Sequence, residues 1–455
     1  MNGMVYLSNE RISNEGLNRY ALKELLKLSH EDYSGNTLQI NMCISSEDGL
    51  YVPRAFMNGR FYEPSIDGSE GLALSKTSIN PKFSLRDYQQ DAVEAIYRAT
   101  TMKGGSILVG GCGTGKTVMG CYLIKQLGRR ALVLVHKEFL MQQFKDTLNL
   151  IFPDLVVGLW RRDQEPNGSE DVVITMVQSI MGRDYDASCY EGFGTIITDE
   201  VHRFSAPLWS NAIGRFDARY RVGLTATPDR SDGLERVFMS HIGSIEHEVR
   251  GNLLSADIYP IEFNYTYPMK DYILWDGQVS ISKLITVLAK DDMRSEVIID
   301  YAVRSLMTGR KVLILCDRRQ HVTYLAFKCS ERLESLRALR EDMPKDLQVA
   351  AYLGGMKASD REDAERADLI IGTYSMAQEG LDIPRLDTLF LASPKTNVTQ
   401  AIGRILRPHS DKKKPVVLDF IDNVGMLKGF ARKRKKQYAQ NGYTLKRALS
   451  DVASP

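Results

Sequence analysis

The segment Gly110-Gly111-Cys112-Gly113-Thr114-Gly115-Lys116-Thr117 constrains this chain more than any other. It fits G-x-x-x-x-G-K-[ST], follows the apolar run Ser106–Val109 and precedes the helical run Val118–Leu127. A glycine-rich turn from strand to helix lets backbone N–H groups converge on a phosphate, and the helix N-terminus adds its positive dipole end. Lys116 brings a charge to the terminal phosphates, and the Thr117 hydroxyl can ligate Mg²⁺. The bland alternative, an ordinary glycine-rich turn, is outweighed by the complete motif in the context it requires. Cys112 occupies a variable position of the loop and needs no redox role.

The surrounding pattern predicts an α/β fold. Short apolar runs at Ser106–Val109, Ala131–Val135, Val172–Met176, Thr195–Thr198 and Arg221–Thr225 alternate with longer helical stretches. Uninterrupted apolar strands separated by helices indicate a parallel sheet covered on both faces. The rhythm returns after about residue 295 with Lys311–Cys316, Gln348–Tyr352, Leu369–Thr373, Thr388–Ala392 and Pro415–Phe420. Two similar parallel-sheet lobes in tandem are therefore expected. Residues 1–80 read as a small α/β module, with a helical stretch Leu17–Leu28 and a hairpin from Thr37–Ile44 and Leu50–Phe56. The divisions predicted are 1–80, 81–245, 246–425 and a basic tail over 426–455.

A second chemical element is Ile196-Ile197-Thr198-Asp199-Glu200-Val201-His202, an apolar strand ending in paired carboxylates. Such a pair is usually a surface turn, but its position downstream of a phosphate loop reverses that reading. Asp199 can hold Mg²⁺, and Glu200 can orient or deprotonate an attacking water.

Composition excludes several classes. The 455 residues are 43% hydrophobic and 25% charged, ordinary values for a globular chain with a sizeable core. A net charge of +2 says nothing about partners. The 6 cysteines form no CxxC pair and no zinc-spaced cluster with histidine, which fits a reducing, cytoplasmic compartment. No apolar run is long enough for a membrane span.

Asp199-Glu200-Val201-His202 resembles the DExH box of superfamily 2 helicases, and other motifs of that family follow in order. Leu85-Arg86-Asp87-Tyr88-Gln89 resembles the adenine-reading segment, with Arg86 and Gln89 at the nucleotide. Val135-His136-Lys137 and Ile174-Thr175-Met176-Val177-Gln178-Ser179 are similar to segments that touch the nucleic-acid backbone. Leu224-Thr225-Ala226-Thr227-Pro228 resembles the motif coupling ATP state to strand binding, with His202, Thr225 and Thr227 as coupling residues. In the second lobe, Leu313–Asp317, Tyr352–Gly355 with Arg361, Thr373 with Glu379-Gly380-Leu381-Asp382, and Gln400–Arg407 resemble motifs IV to VI.

The resemblance implies two RecA-like lobes that bind ATP and Mg²⁺ with Gly110, Gly111, Cys112, Gly113, Thr114, Gly115, Lys116, Thr117, Gly380 and Asp382. Lys116, Asp199, Glu200, Gln400, Arg404 and Arg407 are then catalytic, the two arginines neutralising charge at the γ-phosphate. His136, Lys137, Thr175, Gln178, Gly354 and Thr373 are the implied DNA contacts. Asp-Glu-Val-His rather than Asp-Glu-Ala-Asp, Thr225-Ala226-Thr227 and an initial Gln400 resemble the branch holding XPB-like helicases, restriction motors and phage UvsW-like branch-migration helicases. That branch implies a monomeric, phage-type 3′ to 5′ motor on duplex or branched DNA, in replication, recombination or repair.

Two features stay open. Arg54, Arg60 and Lys76 make residues 1–80 a candidate substrate selector, or the segment only packs on the first lobe. Arg432-Lys433-Arg434-Lys435-Lys436, with Phe430, Tyr438 and Tyr443 nearby, is either a solvated face or a phosphate contact. Lys116→Ala is expected to abolish ATP hydrolysis while leaving nucleic-acid binding partly intact; steady-state phosphate release beside a filter-binding titration checks this.

Overall fold

The computed structural model describes residues 4–446 apart from 15, 32–36, 58–67, 77–79, 112, 204–205, 227–234, 250–253, 341–343, 345, 379–380 and 382. The chain divides into two compact units, 1–251 and 252–455.

The first unit is built on a seven-stranded sheet, with strands in the order Ile245–Val249, Gly105–Gly110, Tyr220–Thr225, Thr195–Thr198, Ala131–Val135, Val172–Met176, Val157–Trp160. Every pairing is parallel. The apolar runs are continuous because both faces are covered. Ala131, Val133 and Val135 enter one core with Leu108 and Ile197, while Leu132 and Leu134 enter the other with Ile107 and Ile196. The helix Lys116–Leu127 lies close on the sheet, and a Cβ at Gly120 would come within 2.9 Å of Leu224. The sequence reading missed the two edge strands. Ile245–Val249 interleaves Glu246, His247 and Glu248, as a strand covered on one side can.

Residues 1–80 are part of this unit. Met4–Ser8, Gly49–Pro53 and Ile44–Ser45 form one antiparallel sheet, and Lys27–Glu31 pairs separately with Thr37–Asn41. The expected hairpin is thus split between two sheets, Ile44 facing Tyr51 across its own turn. The expected helix ends early, at Arg19–Leu25, and is capped by the Asn18 side chain, which accepts from the Tyr20 and Ala21 N–H groups. The lobe's own Val237 sits in the core of this module with Leu7, Leu22, Leu50 and Val52. Buried Arg54 donates to the Ala218 carbonyl at 2.8 Å and pairs with Asp217 at 2.8 Å, and Lys76 pairs with Asp154 at 2.9 Å. Two of the cations proposed as phosphate contacts therefore hold the module to the lobe; Arg60 lies outside the described residues.

The second unit carries another seven-stranded parallel sheet, in the order Val349–Tyr352, Leu369–Thr373, Val312–Cys316, Thr388–Leu391, Val416–Asp422, Asp257–Phe263, Thr444–Leu445. Asp257–Phe263 was not foreseen because Pro260 demotes a strand. It is tolerated here because Thr444–Leu445 pairs only with Asp257 and Ile258. The expected tail is integral: the helix Leu427–Gln440 packs on the sheet and the chain returns as its last strand. Arg294 and Asp422, both fully buried, make a two-pronged ion pair at 2.7 and 3.0 Å that ties a helix to the sheet.

Candidate active site

Parallel strands bring their carboxyl ends to one edge of a sheet, where open α/β folds bind ligands. In the first unit that edge collects Gly110, Thr225, Thr198 with Asp199, and Val135, residues far apart in sequence. The loop after Gly110 turns through Gly113 and Gly115, at φ of 84° and 83°. Left-handed backbone suits glycine, and a Cβ on Gly115 would lie 2.3 Å from the Gln89 amide nitrogen. Gln89 in turn donates to the Thr114 carbonyl at 2.9 Å and accepts from the Arg86 N–H at 3.1 Å. In this structure Gln89 braces the loop, and Tyr88 reaches the same carbonyl at 3.3 Å.

Lys116 begins the following helix, 8% exposed. Its ammonium donates to the carbonyls of Gly110 at 2.9 Å and Gly111 at 3.4 Å and stands 3.3 Å from Glu200. An ammonium held against a glycine-rich loop at the start of a helix is part of the donor set a triphosphate needs. Glu200 has φ of 49°, the left-handed region that a residue with a side chain seldom occupies. Its carboxylate accepts from the Ala226 N–H at 3.3 Å and lies 3.4 Å from His202 Nδ1. The same ring nitrogen is 2.8 Å from the Thr225 hydroxyl. The carboxylate box and the Thr225-Ala226 segment are thus joined by direct hydrogen bonds.

The two carboxylates differ. Burial, and then the charge of Glu200, push Asp199 up to about 7. Burial acts on Glu200 in the same sense, but Lys116 and His202 beside it outweigh that and hold it below the ordinary glutamate range. A carboxyl whose charged form is penalised by burial and by a second carboxylate is a place at which a divalent cation would remove the penalty. Asp199, with the half-buried Thr117, fits Mg²⁺ on that ground.

The implied nucleic-acid contacts divide. Gln178 is exposed, and His136 and Lys137 are half-buried. Thr175 is fully buried, and its hydroxyl donates to the Trp160 carbonyl at 2.9 Å. Thr373 is likewise buried, 2.8 Å from the hydroxyl of exposed Ser375. Side chains alternate along a strand, so a motif fixes the strand end but not which residue faces out. Gly354 keeps its place at a strand end, its carbonyl accepting from Arg319 at 3.0 Å.

In the second unit Gln400, Arg404 and Arg407 lie on and just after the short helix Thr399–Gly403. Arg404 donates to the Leu381 carbonyl at 2.8 Å, linking this segment to the preceding motif. The helix Leu427–Gln440 grips the approach to it. Gln437 donates to the Thr396 carbonyl at 3.0 Å and accepts from the Val398 N–H at 3.3 Å, while Arg434 donates to the Lys395 carbonyl at 2.7 Å. No sequence motif marked Gln437. Cys112, Thr227, Gly380 and Asp382 lie outside the described residues.

Residues 82–230 match the family described as type III restriction enzyme, res subunit, and residues 294–410 match the helicase conserved C-terminal domain. A protein of Acanthamoeba polyphaga mimivirus, named as a candidate ATP-dependent RNA helicase, is 29% identical over 88% of this chain and 77% of its own length. A protein of African swine fever virus with the same kind of name is 24% identical over 83% of this chain and 76% of its own. Among solved structures, a fragment of a candidate HsdR subunit of a type I restriction enzyme from Vibrio vulnificus shares the fold, with TM-score 0.57 and 16% identity over 97% of this chain and 81% of that one.

Glu200→Gln is expected to keep ATP binding and to slow turnover by a factor of about 10²–10⁴; fluorescent-nucleotide titration beside single-turnover hydrolysis separates the two. A pH dependence follows from Asp199. The unfolded chain ionises it near the ordinary value of about 4, whereas the folded, nucleotide-free protein holds its proton up to about 7. Stability therefore falls as pH rises through that window. Asp199→Asn should raise the melting temperature at pH 8 and change it little at pH 4, read by calorimetry.

Proposed function

The chain belongs to the superfamily 2 helicases, and we propose that it is a nucleic-acid-stimulated ATPase that moves along DNA and separates or branch-migrates its strands. The observation that supports this best is the joined set in the first unit. Lys116 faces Glu200, Glu200 is held by Ala226, and His202 bridges Glu200 to Thr225. A shift in the Thr225-Ala226 segment then necessarily moves the carboxylate beside the phosphate lysine, as coupling of hydrolysis to movement demands.

In this reading the loop N–H groups and Lys116 bind the triphosphate. Glu200, kept ionised, accepts the proton of the attacking water as the bond to the leaving ADP oxygen breaks. Arg404 and Arg407 of the second unit neutralise the charge that develops on the transferred phosphoryl group. Thr117 and Asp199 would hold Mg²⁺, which when bound draws charge from the phosphate oxygens.

DNA is favoured by the departures from Asp-Glu-Ala-Asp and Ser-Ala-Thr, and by the restriction-enzyme family matched over residues 82–230. RNA is the second reading, favoured by the names of the viral relatives. A further variant is a duplex translocase that displaces proteins without parting strands. Among the described residues no helix is long and apolar enough to cross a membrane. The test measures ATP hydrolysis and strand displacement on linear, forked and four-way DNA, with RNA of matched sequence. Stronger stimulation by forked and four-way DNA is expected. Stimulation by RNA above every DNA would replace this reading with the RNA one, and hydrolysis indifferent to nucleic acid would sink both.

A further inference from the structure

The chain has 3 tryptophans. Trp160 and Trp209 are buried, whereas Trp275 in the second unit is 97% exposed. Large aromatic side chains are seldom left wholly in water. Trp275 stands at the tip of a tight turn that holds it out. Ile273 bridges Val279 antiparallel, Leu274 N–H donates to the Gln278 carbonyl at 2.8 Å, and Gly277 N–H donates to the Leu274 carbonyl at 3.1 Å. The Asp276 carboxylate accepts from the Gln278 N–H at 3.0 Å, and Gly277 takes φ of 82°. At the base, Ser280 N–H donates to the Tyr272 carbonyl at 2.8 Å. The turn is a hydrogen-bonded loop carrying an indole at its end.

The base of this loop shares a small core with a second feature. Tyr272 packs with Leu284, Leu288, Val424 and Leu427, with Phe430 against them. Leu427 and Phe430 belong to the helix Leu427–Gln440, which contains no acidic residue. Its basic run is sorted by the fold. Arg434 turns inward onto Asp419, at 2.9 and 3.1 Å, while Lys428, Arg432, Lys433, Lys435 and Lys436 are exposed. Lys428, Arg432, Lys435 and Lys436 recur at the spacing of one helix face, where like charges repel and no carboxylate of the helix relieves them.

We propose that the Trp275 turn and the outer face of this helix form one platform for a single strand, with the indole stacked on a base and the cations on its phosphates. An exposed π-face and a cationic face joined through one small core are the two parts of sequence-tolerant single-strand recognition. The proposal rests on the nucleic-acid reading above and deepens it. A stacking tip acts on a base that has left the duplex, so this motor parts strands and does not only ride the duplex.

The tryptophans supply their own probe. Red-edge fluorescence belongs to Trp275, because the other two indoles are buried. Titrating the full chain, without nucleotide, with a DNA strand of about 30 bases should quench that emission. Trp275→Ala should weaken strand affinity by about tenfold and Trp275→Phe by less. Trp275→Ala should also lower the base pairs separated per ATP on a fork. Converting Lys428, Arg432, Lys435 and Lys436 together to Gln should flatten the slope of log affinity against log salt by about 3, with the parent's melting temperature retained. Unquenched emission at saturating strand, or parental affinity and salt slope in these variants, overturns the proposal. Quenching by apolar peptides or neutral-lipid vesicles but not by DNA also overturns it, assigning the tip to a protein or a membrane. Because the quench is read without ATP, it is separate from the hydrolysis assay that judges the function itself.

Discussion

The architecture of the first unit converges on one electrostatic problem: a buried ammonium, Lys116, set against two adjacent carboxyl groups. Charges of this kind are costly away from water unless each is paired. The fold meets the problem only in part. Glu200 is satisfied by Lys116, His202 and a backbone N–H, whereas burial and the charge of Glu200 push Asp199 upward. In the proposed function a triphosphate with its cation would reverse the sign of the deficit, bringing anionic oxygens to Lys116 and positive charge to Asp199.

That problem explains why each motif is tied to another. Glu200 sits at an unusual φ because it must reach both Lys116 and the Ala226 N–H, which come from different strand ends. In the second unit the same principle uses different parts. Arg404 is pinned to Leu381, and the segment before it is clamped by Gln437 and Arg434 from the last helix. These bonds span long stretches of sequence but short distances, because parallel strands deliver all their carboxyl ends to one edge.

The sequence revealed the central strands of both sheets to within a residue or two, since burial on both faces leaves an unbroken apolar run. It was weaker for strands at an edge or next to one. Ile245–Val249 and Asp257–Phe263 carry polar residues or proline, and only their neighbours identify them as strands. The phosphate loop and the Asp199-Glu200 pair were legible because their chemistry demands fixed residue types at fixed spacing. The burial of Thr175 and Thr373 was not legible, because a motif names a strand end without saying which face each side chain takes. Arg54 stayed open between two readings because a cation looks the same in sequence whether its partner is Asp217 or a phosphate. Trp275 had no motif at all; only the fold shows that nothing covers it.

The basic run at residues 432–436 shows what charge counting hides. Four of its side chains face water and one, Arg434, is a buttress, buried with Asp419 and Tyr438 and bonded to the Lys395 carbonyl. Erasing the whole run would discharge a surface and remove an internal strut in the same stroke. Loss of nucleic-acid affinity in such a variant would confuse two causes, because the strut supports the segment that carries Arg404 and Arg407. The run is two devices written in one alphabet, and only substitutions that respect the helix face can separate them.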